Sequence, residues 1–205
     1  MGFDLPSFIA VDTLAGPDAV DGVVIRSDLL PPNTHGSNLR GLLTRQMWDR
    51  LRTPVCDAAG NRCEICGVQT IRNRRPARPD CHEKWAFKFV SGRLMQQLQR
   101  LIALCPGCHQ VQHVGRARMN GFEAQVIFQL RELNGWTAEQ AAEDLDRASH
   151  RVAFLHRFDW DLDLSALTGQ LLIENYPQLY IPAVERPTLG NSYFRLPPAV
   201  RSSLT

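Results

Sequence analysis

A chain of 205 residues with 44% hydrophobic content and a net charge of +2 has the composition of a globular protein, which excludes global disorder. No apolar run reaches the ~18–20 residues that span a bilayer, and the opening MGFDLPSFIAVD lacks the basic start and long apolar stretch of a secretory signal, so a cytoplasmic protein without a membrane partner is expected. The small net charge hides an uneven one: residues 40–120 carry 15 Lys and Arg against 5 Asp and Glu, a net of +10, while 1–39 and 121–205 are each at −4.

Residues 1–36 contain short apolar runs, Phe8–Val11 and Gly22–Ile25, broken by Gly, Pro and Asp; they predict strands or an irregular extension. From Ser37 to Val55 the residues Leu39, Leu42, Leu43, Met47, Leu51 and Val55 recur at three- and four-residue steps, as on one helix face. Cys63-Glu64-Ile65-Cys66-Gly67 reads as a knuckle closed by a glycine turn, and Arg72–Arg78 as a basic loop. Cys81–Val90 predicts a strand ended by a Ser91-Gly92 turn. Arg100–Leu104 then leads into Cys105-Pro106-Gly107-Cys108, and a helix is expected over His109–Arg118. Two more helices follow: Phe122–Leu133, stopped by Asn134-Gly135, and one opened by the capping box Thr137-Ala138-Glu139-Gln140 and running to about His156. The resulting divisions are 1–36, a core at 37–120, a helical extension at 121–165, and a Pro- and Tyr-containing tail at 166–205. The two terminal extensions are candidate surfaces for a protein partner or a second copy.

Four of the six cysteines form two C-x-x-C pairs, Cys63/Cys66 and Cys105/Cys108. In a reducing compartment such pairs point to a structural Zn²⁺ held by four thiolates, with a redox dithiol as the alternative. The 38 residues between Cys66 and Cys105 exceed the ~12–20 of simple zinc fingers, so further structure must fold inside the clamp. Cys56 has no partner at ligand spacing and reads as a small buried hydrophobe.

Three histidines accompany the clamp. His109 and His113 stand at i,i+4, which on a helix places both imidazoles on one face. Next to a zinc knuckle, that pair indicates a second metal or a phosphate site. His82 lies inside the clamp. Trp85 reads as core, and His35, His150 and His156 as surface or packing residues. Of the 23 basic residues 21 are Arg, which suits bidentate phosphate contact.

With these residues in place, the chain resembles the HNH nuclease family over about residues 40–165. The likeness rests on Cys63–Cys66, on Asp80-Cys81-His82-Glu83 with Trp85, and on Leu104-Cys105-Pro106-Gly107-Cys108-His109 followed by His113-Val114-Gly115 and Asn134-Gly135-Trp136. It is closest to a group of bacterial HNH-like proteins. The resemblance implies an α+β protein with a zinc-stabilised ββα-metal core, flanking helices and irregular terminal extensions. It also implies hydrolysis of DNA phosphodiester bonds, with His82 as general base and His109, assisted by His113, on a divalent ion (Mg²⁺, Mn²⁺, Ni²⁺ or Zn²⁺). Arg72, Arg74, Arg75, Arg78, Arg100 and Arg116 are the candidate contacts to the nucleic-acid backbone. Two positions depart from the pattern. Arg100 stands where the family has Asn, and Cys81 stands where it has a metal-ligating Asp or His, leaving Cys81, Asp80 or Glu83 as candidates for that place. A catalytically silent relative that binds nucleic acid or a protein partner is the competing expectation.

Overall fold

The computed structural model describes Pro6, Gly16 and residues 22–198; the apolar run at Phe8–Val11 and the end of the C-terminal extension lie outside the described residues. The apolar stripe of 37–55 forms two helices instead of one, α1 (Leu39–Leu42) and α2 (Arg45–Ala58). Thr44 separates them. It sits in extended backbone, and its hydroxyl accepts from the Met47 amide at 3.3 Å, capping α2. Leu39, Leu42, Leu43 and Leu51 of the stripe are buried, as is Trp48 beside it, with Met47 and Val55 half-buried, while the helix is broken at Thr44.

The expected basic loop closes into a small hairpin, β1 (Ile71–Arg72) and β2 (Arg75–Pro76), turned by Asn73 and Arg74 at φ +51° and +60°. A long hairpin follows, β3 (Asp80–Val90) and β4 (Arg93–Leu104), turned by Ser91 and Gly92 with positive φ. Because side chains alternate across a strand, Cys81, Glu83, Trp85 and Phe87 share one face of β3, while Asp80, His82 and Lys84 share the other. Opposite them Lys84 pairs with Arg100 but Trp85 pairs with Leu98, so Gln99 is a bulged extra residue on β4. The bulge re-phases β4: Leu98 and Leu101, three apart, both reach the Trp85 side.

Each face of the hairpin covers its own core. One gathers Trp48, Leu51, Trp85, Phe87, Leu98 and Trp160 with residues from the C-terminal third, including Leu162, Ile181 and Phe194. The other gathers Ile65, Ile102, Leu104 and the clamp cysteines with α3 (Pro106–Val111), α4 (Val114–Met119), α5 (Glu123–Asn134) and α6 (Ala138–Leu155). The expected stop and start both hold: Gly135 ends α5 at φ +66°, and the Thr137–Gln140 capping box opens α6. Beyond α6, β5 (Asp161–Asp163) runs parallel to β4, β6 (Leu172–Ile173) precedes β7 (Tyr180–Ile181), and β8 (Phe194–Arg195) pairs with β6. The main sheet has the order β3-β4-β5-β7, so the stretch from 166 contributes a strand and core side chains to the domain. Among the described residues no helix is long and apolar enough to cross a membrane.

Residues 24–30 are tied down by side chains of the last two helices. Asn134 accepts from the amides of Val24 (2.7 Å) and Ile25 (3.1 Å). Asp144, buried, accepts from the Ser27 amide at 2.6 Å and its hydroxyl at 2.8 Å, and pairs with Arg26 and Arg147. Removing the Asp144 carboxylate takes this acceptor from the Ser27 amide and from Arg26, and leaves Arg147 its bond to the Ser27 carbonyl. We expect Asp144→Ala to cost about 3–5 kcal/mol in denaturant unfolding, as for other broken buried pairs. A loss under about 1 kcal/mol would mean that this segment is not held by the carboxylate.

Candidate metal centres

The four-cysteine cluster is assembled at the open end of the long hairpin, where Asp80 pairs with Leu104. The first knuckle turns through Gly67 at φ +70°, with the Gly67 amide donating to the Cys63 carbonyl at 2.8 Å. It docks on β4 because the Glu64 amide donates to Ala103 O at 2.9 Å while the Glu64 carboxylate accepts from the Ala103 amide at 2.8 Å. Cys105 caps α3, its sulfur accepting from the Cys108 amide at 3.5 Å. The Sγ atoms of Cys63, Cys66, Cys105 and Cys108 all lie within 4.8 Å of one another. Cys66 and Cys105 are 3.7 Å apart, against the ~3.8 Å edge of a tetrahedron with Zn–S bonds of about 2.3 Å. Crowding splits the charge states of this cluster: thiol donors Cys105 and Cys108 hold Cys63 strongly toward thiolate, Cys63 and then burial push Cys105 up to about 12, and Cys105, Cys63 and burial push Cys108 up. A divalent cation relieves that conflict, so the donor set fits structural zinc. Gln129 adds an N–H to Cys108 Sγ at 3.7 Å, a support that no spacing rule reveals.

The histidines meet next to the clamp, which α3 joins through Cys108 and His109, but not on a single helix. α3 ends at Val111, and His113 sits at φ −131°, ψ 47° before α4 begins. The expected continuous helix fails because the Asp28 amide donates to Val111 O at 3.2 Å, capturing the carbonyl that Gly115 would have needed. His82 from β3, His109 from α3 and His113 from the break nevertheless converge, with their donor nitrogens within 4.8 Å of one another. The ring centroids are 4.6–5.3 Å apart and the planes cross at 75–88°, so the three rings radiate about a common centre. His82 Nδ1 and His113 Nε2 are 3.2 Å apart. Two nitrogens bound to one ion at about 2.0–2.1 Å stand roughly 3.0–3.4 Å apart, so this geometry also fits a metal. Burial holds both imidazoles neutral, His82 well below its usual range and His113 down at about 3, with each further depressed by its histidine neighbours. Neutral imidazole is the form that binds metal.

Strand alternation separates the chain neighbours of His82 by face. Cys81 projects to the opposite face, packs against the Trp85 core, and has its thiol pushed up to about 12 by burial; it is not a member of the histidine group, contrary to expectation. Glu83 shares that opposite face and accepts from the Leu39 amide at 2.8 Å, capping α1; burial raises it to about 7. Asp80, two residues from His82, is on the correct face. Its Oδ2 lies 3.4 Å from His109 Nδ1, and its Oδ1 takes the Arg72 guanidinium at 2.7 Å. The His109 contact, then Arg72, hold the Asp80 carboxyl down at about 2. A carboxylate facing Nδ1 favours the tautomer in which Nε2 is free to bind a metal. Asp80→Asn should therefore weaken metal at the histidine cluster by roughly 10–100-fold without touching the zinc clamp. Competition with a chromogenic chelator measures this, and unchanged affinity would show that Asp80 does not orient His109.

The candidate backbone-binding arginines divide into two sets. Arg72 pairs with Asp80, Arg78 with Asp57, and Arg100 with Glu64 at 2.6 Å, which turns Arg100 toward the zinc knuckle. Arg74, Arg75 and Arg116 are exposed and form no ion pair with the described residues. Trp85 is core, as expected, and His35 and His156 are exposed. Comparison of the chain with protein-family models, with curated proteins and with solved structures gave no match.

Proposed function

We propose that this chain is a metal-dependent endonuclease that hydrolyses DNA phosphodiester bonds at the His82–His109–His113 cluster, on a scaffold pinned by structural zinc. The observation that carries this reading is the convergence of three imidazoles beside a four-cysteine clamp, with a carboxylate behind one of them. A divalent ion there supplies Lewis-acid polarisation of a phosphoryl oxygen and acidification of water. His109, oriented by Asp80, and His113 present Nε2 donors. His82 Nδ1 lies at ligand distance from His113 Nε2, so in this reading His82 is a third ligand and gives up the general-base role that the HNH resemblance implies. Arg74, Arg75 and Arg116 are left to engage the phosphate backbone.

The silent nucleic-acid-binding alternative draws on Arg100, which occupies the position of the family's Asn and is neutralised by Glu64. Supercoiled plasmid incubated with the protein and Mg²⁺, Mn²⁺, Ni²⁺ or Zn²⁺ separates the two. Nicking with at least one ion is the expected result. Absence of nicking with all four, together with DNA binding that weakens as salt rises, would select the silent binder.

A further inference from the structure

The histidine cluster borders a cavity of about 660 Å³, which is more room than an ion and a phosphate group need and lies within the roughly 300–1,000 Å³ of small-molecule sites. Its polarity is graded. At the mouth stand Arg40 of α1 and Arg116 of α4, both exposed and without an ion pair among the described residues. Deeper lie Trp48 and Trp85, 8% and 7% exposed, with Val152 of α6 on the wall.

The polar groups of the wall are already engaged by the protein. Asp28 holds Arg151 at 2.7 Å, Glu83 holds the Leu39 amide at 2.8 Å, and Gln96 holds the Arg186 guanidinium at 2.7 Å. To a ligand the deep part is therefore largely apolar, whereas the mouth and metal site are cationic. The molecule that fits is an anion at one end and a flat, apolar-faced body at the other. A phosphodiester backbone within an intact duplex offers no such body, because its bases are stacked and paired.

Resting on the nuclease reading of the same site, we infer that this cavity receives one nucleoside of the substrate. The metal site then acts on single-stranded or extruded nucleotides in preference to paired duplex. Arg40 and Arg116 grip the phosphates flanking the bound nucleoside, and the base enters the Trp48–Trp85 end. Because Asp28, Glu83 and Gln96 are committed internally, the site reads the base weakly, and purine and pyrimidine nucleotides bind alike.

Calorimetric titration of the metal-loaded protein with adenosine 5′-monophosphate, thymidine 5′-monophosphate and inorganic phosphate tests this. Both nucleotides should bind at least about tenfold tighter than phosphate. Val152→Trp, which fills the wall, should erase that advantage while phosphate binding persists. Arg116→Glu, at an exposed position that does not threaten folding, should weaken nucleotides and phosphate together by about tenfold. Equal affinity of phosphate and nucleotides in the parent, or a nucleotide advantage that survives Val152→Trp in a folded protein, overturns the inference. Nucleotide binding without cleavage of any DNA would reject the nuclease reading alone. Cleavage of duplex and single strands at equal rates, with no nucleotide binding, would reject the cavity assignment alone.

Discussion

Cys108→Ser is expected to abolish the cooperative melting transition of this protein and to reduce its bound structural zinc from one ion to none. Cys108 is fully buried, and its sulfur is one corner of the four-cysteine cluster, itself part of the core packed between the long hairpin and α3–α6. Zinc bound at such a site contributes about 10–16 kcal/mol at neutral pH, comparable with or greater than the ~5–15 kcal/mol net stability of a typical domain. Loss of one ligand therefore does more than loosen a loop. It leaves Cys63, Cys66 and Cys105 crowded without a cation, detaches the first knuckle from β4, and exposes Ile65 and Leu104, which are 1% and 0% exposed. Cys56→Ser is the matched control. Cys56 is equally buried but outside the cluster, donating only to Pro79 O at 3.6 Å, so it should retain zinc and melt cooperatively. Native mass spectrometry and circular dichroism read both variants. A Cys108→Ser protein that melts as cooperatively as the Cys56→Ser protein would remove zinc from the account of the fold.

The four-cysteine cluster and the last two long helices were legible in the sequence because their determinants are local. C-x-x-C spacing, a glycine after the helix and a capping box each act within a few residues, and each is found where expected. The features that were missed depend on distant partners. The first half of β4 reads as polar, yet Gln96 is buried there because Arg186, ninety residues later, occupies its side-chain oxygen. Gln99 gives no sign of being a bulge, since only the pairing of Trp85 with Leu98 defines it. The helix break at His113 originates in an amide at Asp28, more than eighty residues upstream. Cys81 and Asp80 both lie close to His82 in the chain, and the strand's two-residue period puts Asp80 on the His82 face and Cys81 on the other. The site residues were thus identifiable by type, whereas their roles required the register of one strand and the break in one helix.

That distinction governs the outcome for His109 and His82. His109→Ala should lower the rate of plasmid nicking by at least about 10³-fold, since Lewis-acid stabilisation of a phosphoryl transition state is worth several kcal/mol. It should also reduce total bound metal by one equivalent while the four-cysteine zinc remains. The melting temperature should change little, because His109 lies at the edge of the buried core and is partly exposed. His82→Ala separates the two roles open to that residue. A ligand within 3.2 Å of His113 Nε2 takes the second metal with it when removed, so metal and nicking should fall together. A general base leaves the ion in place, and nicking alone falls, by about 10²–10⁴-fold. The geometry favours the first outcome: His82 is 7% exposed, its ring is packed edge-on against both other imidazoles, and it has little room to stand off from an ion that they bind. Full metal occupancy in His82→Ala would return His82 to the base's role and leave a two-histidine ion with Asp80 as its nearest carboxylate.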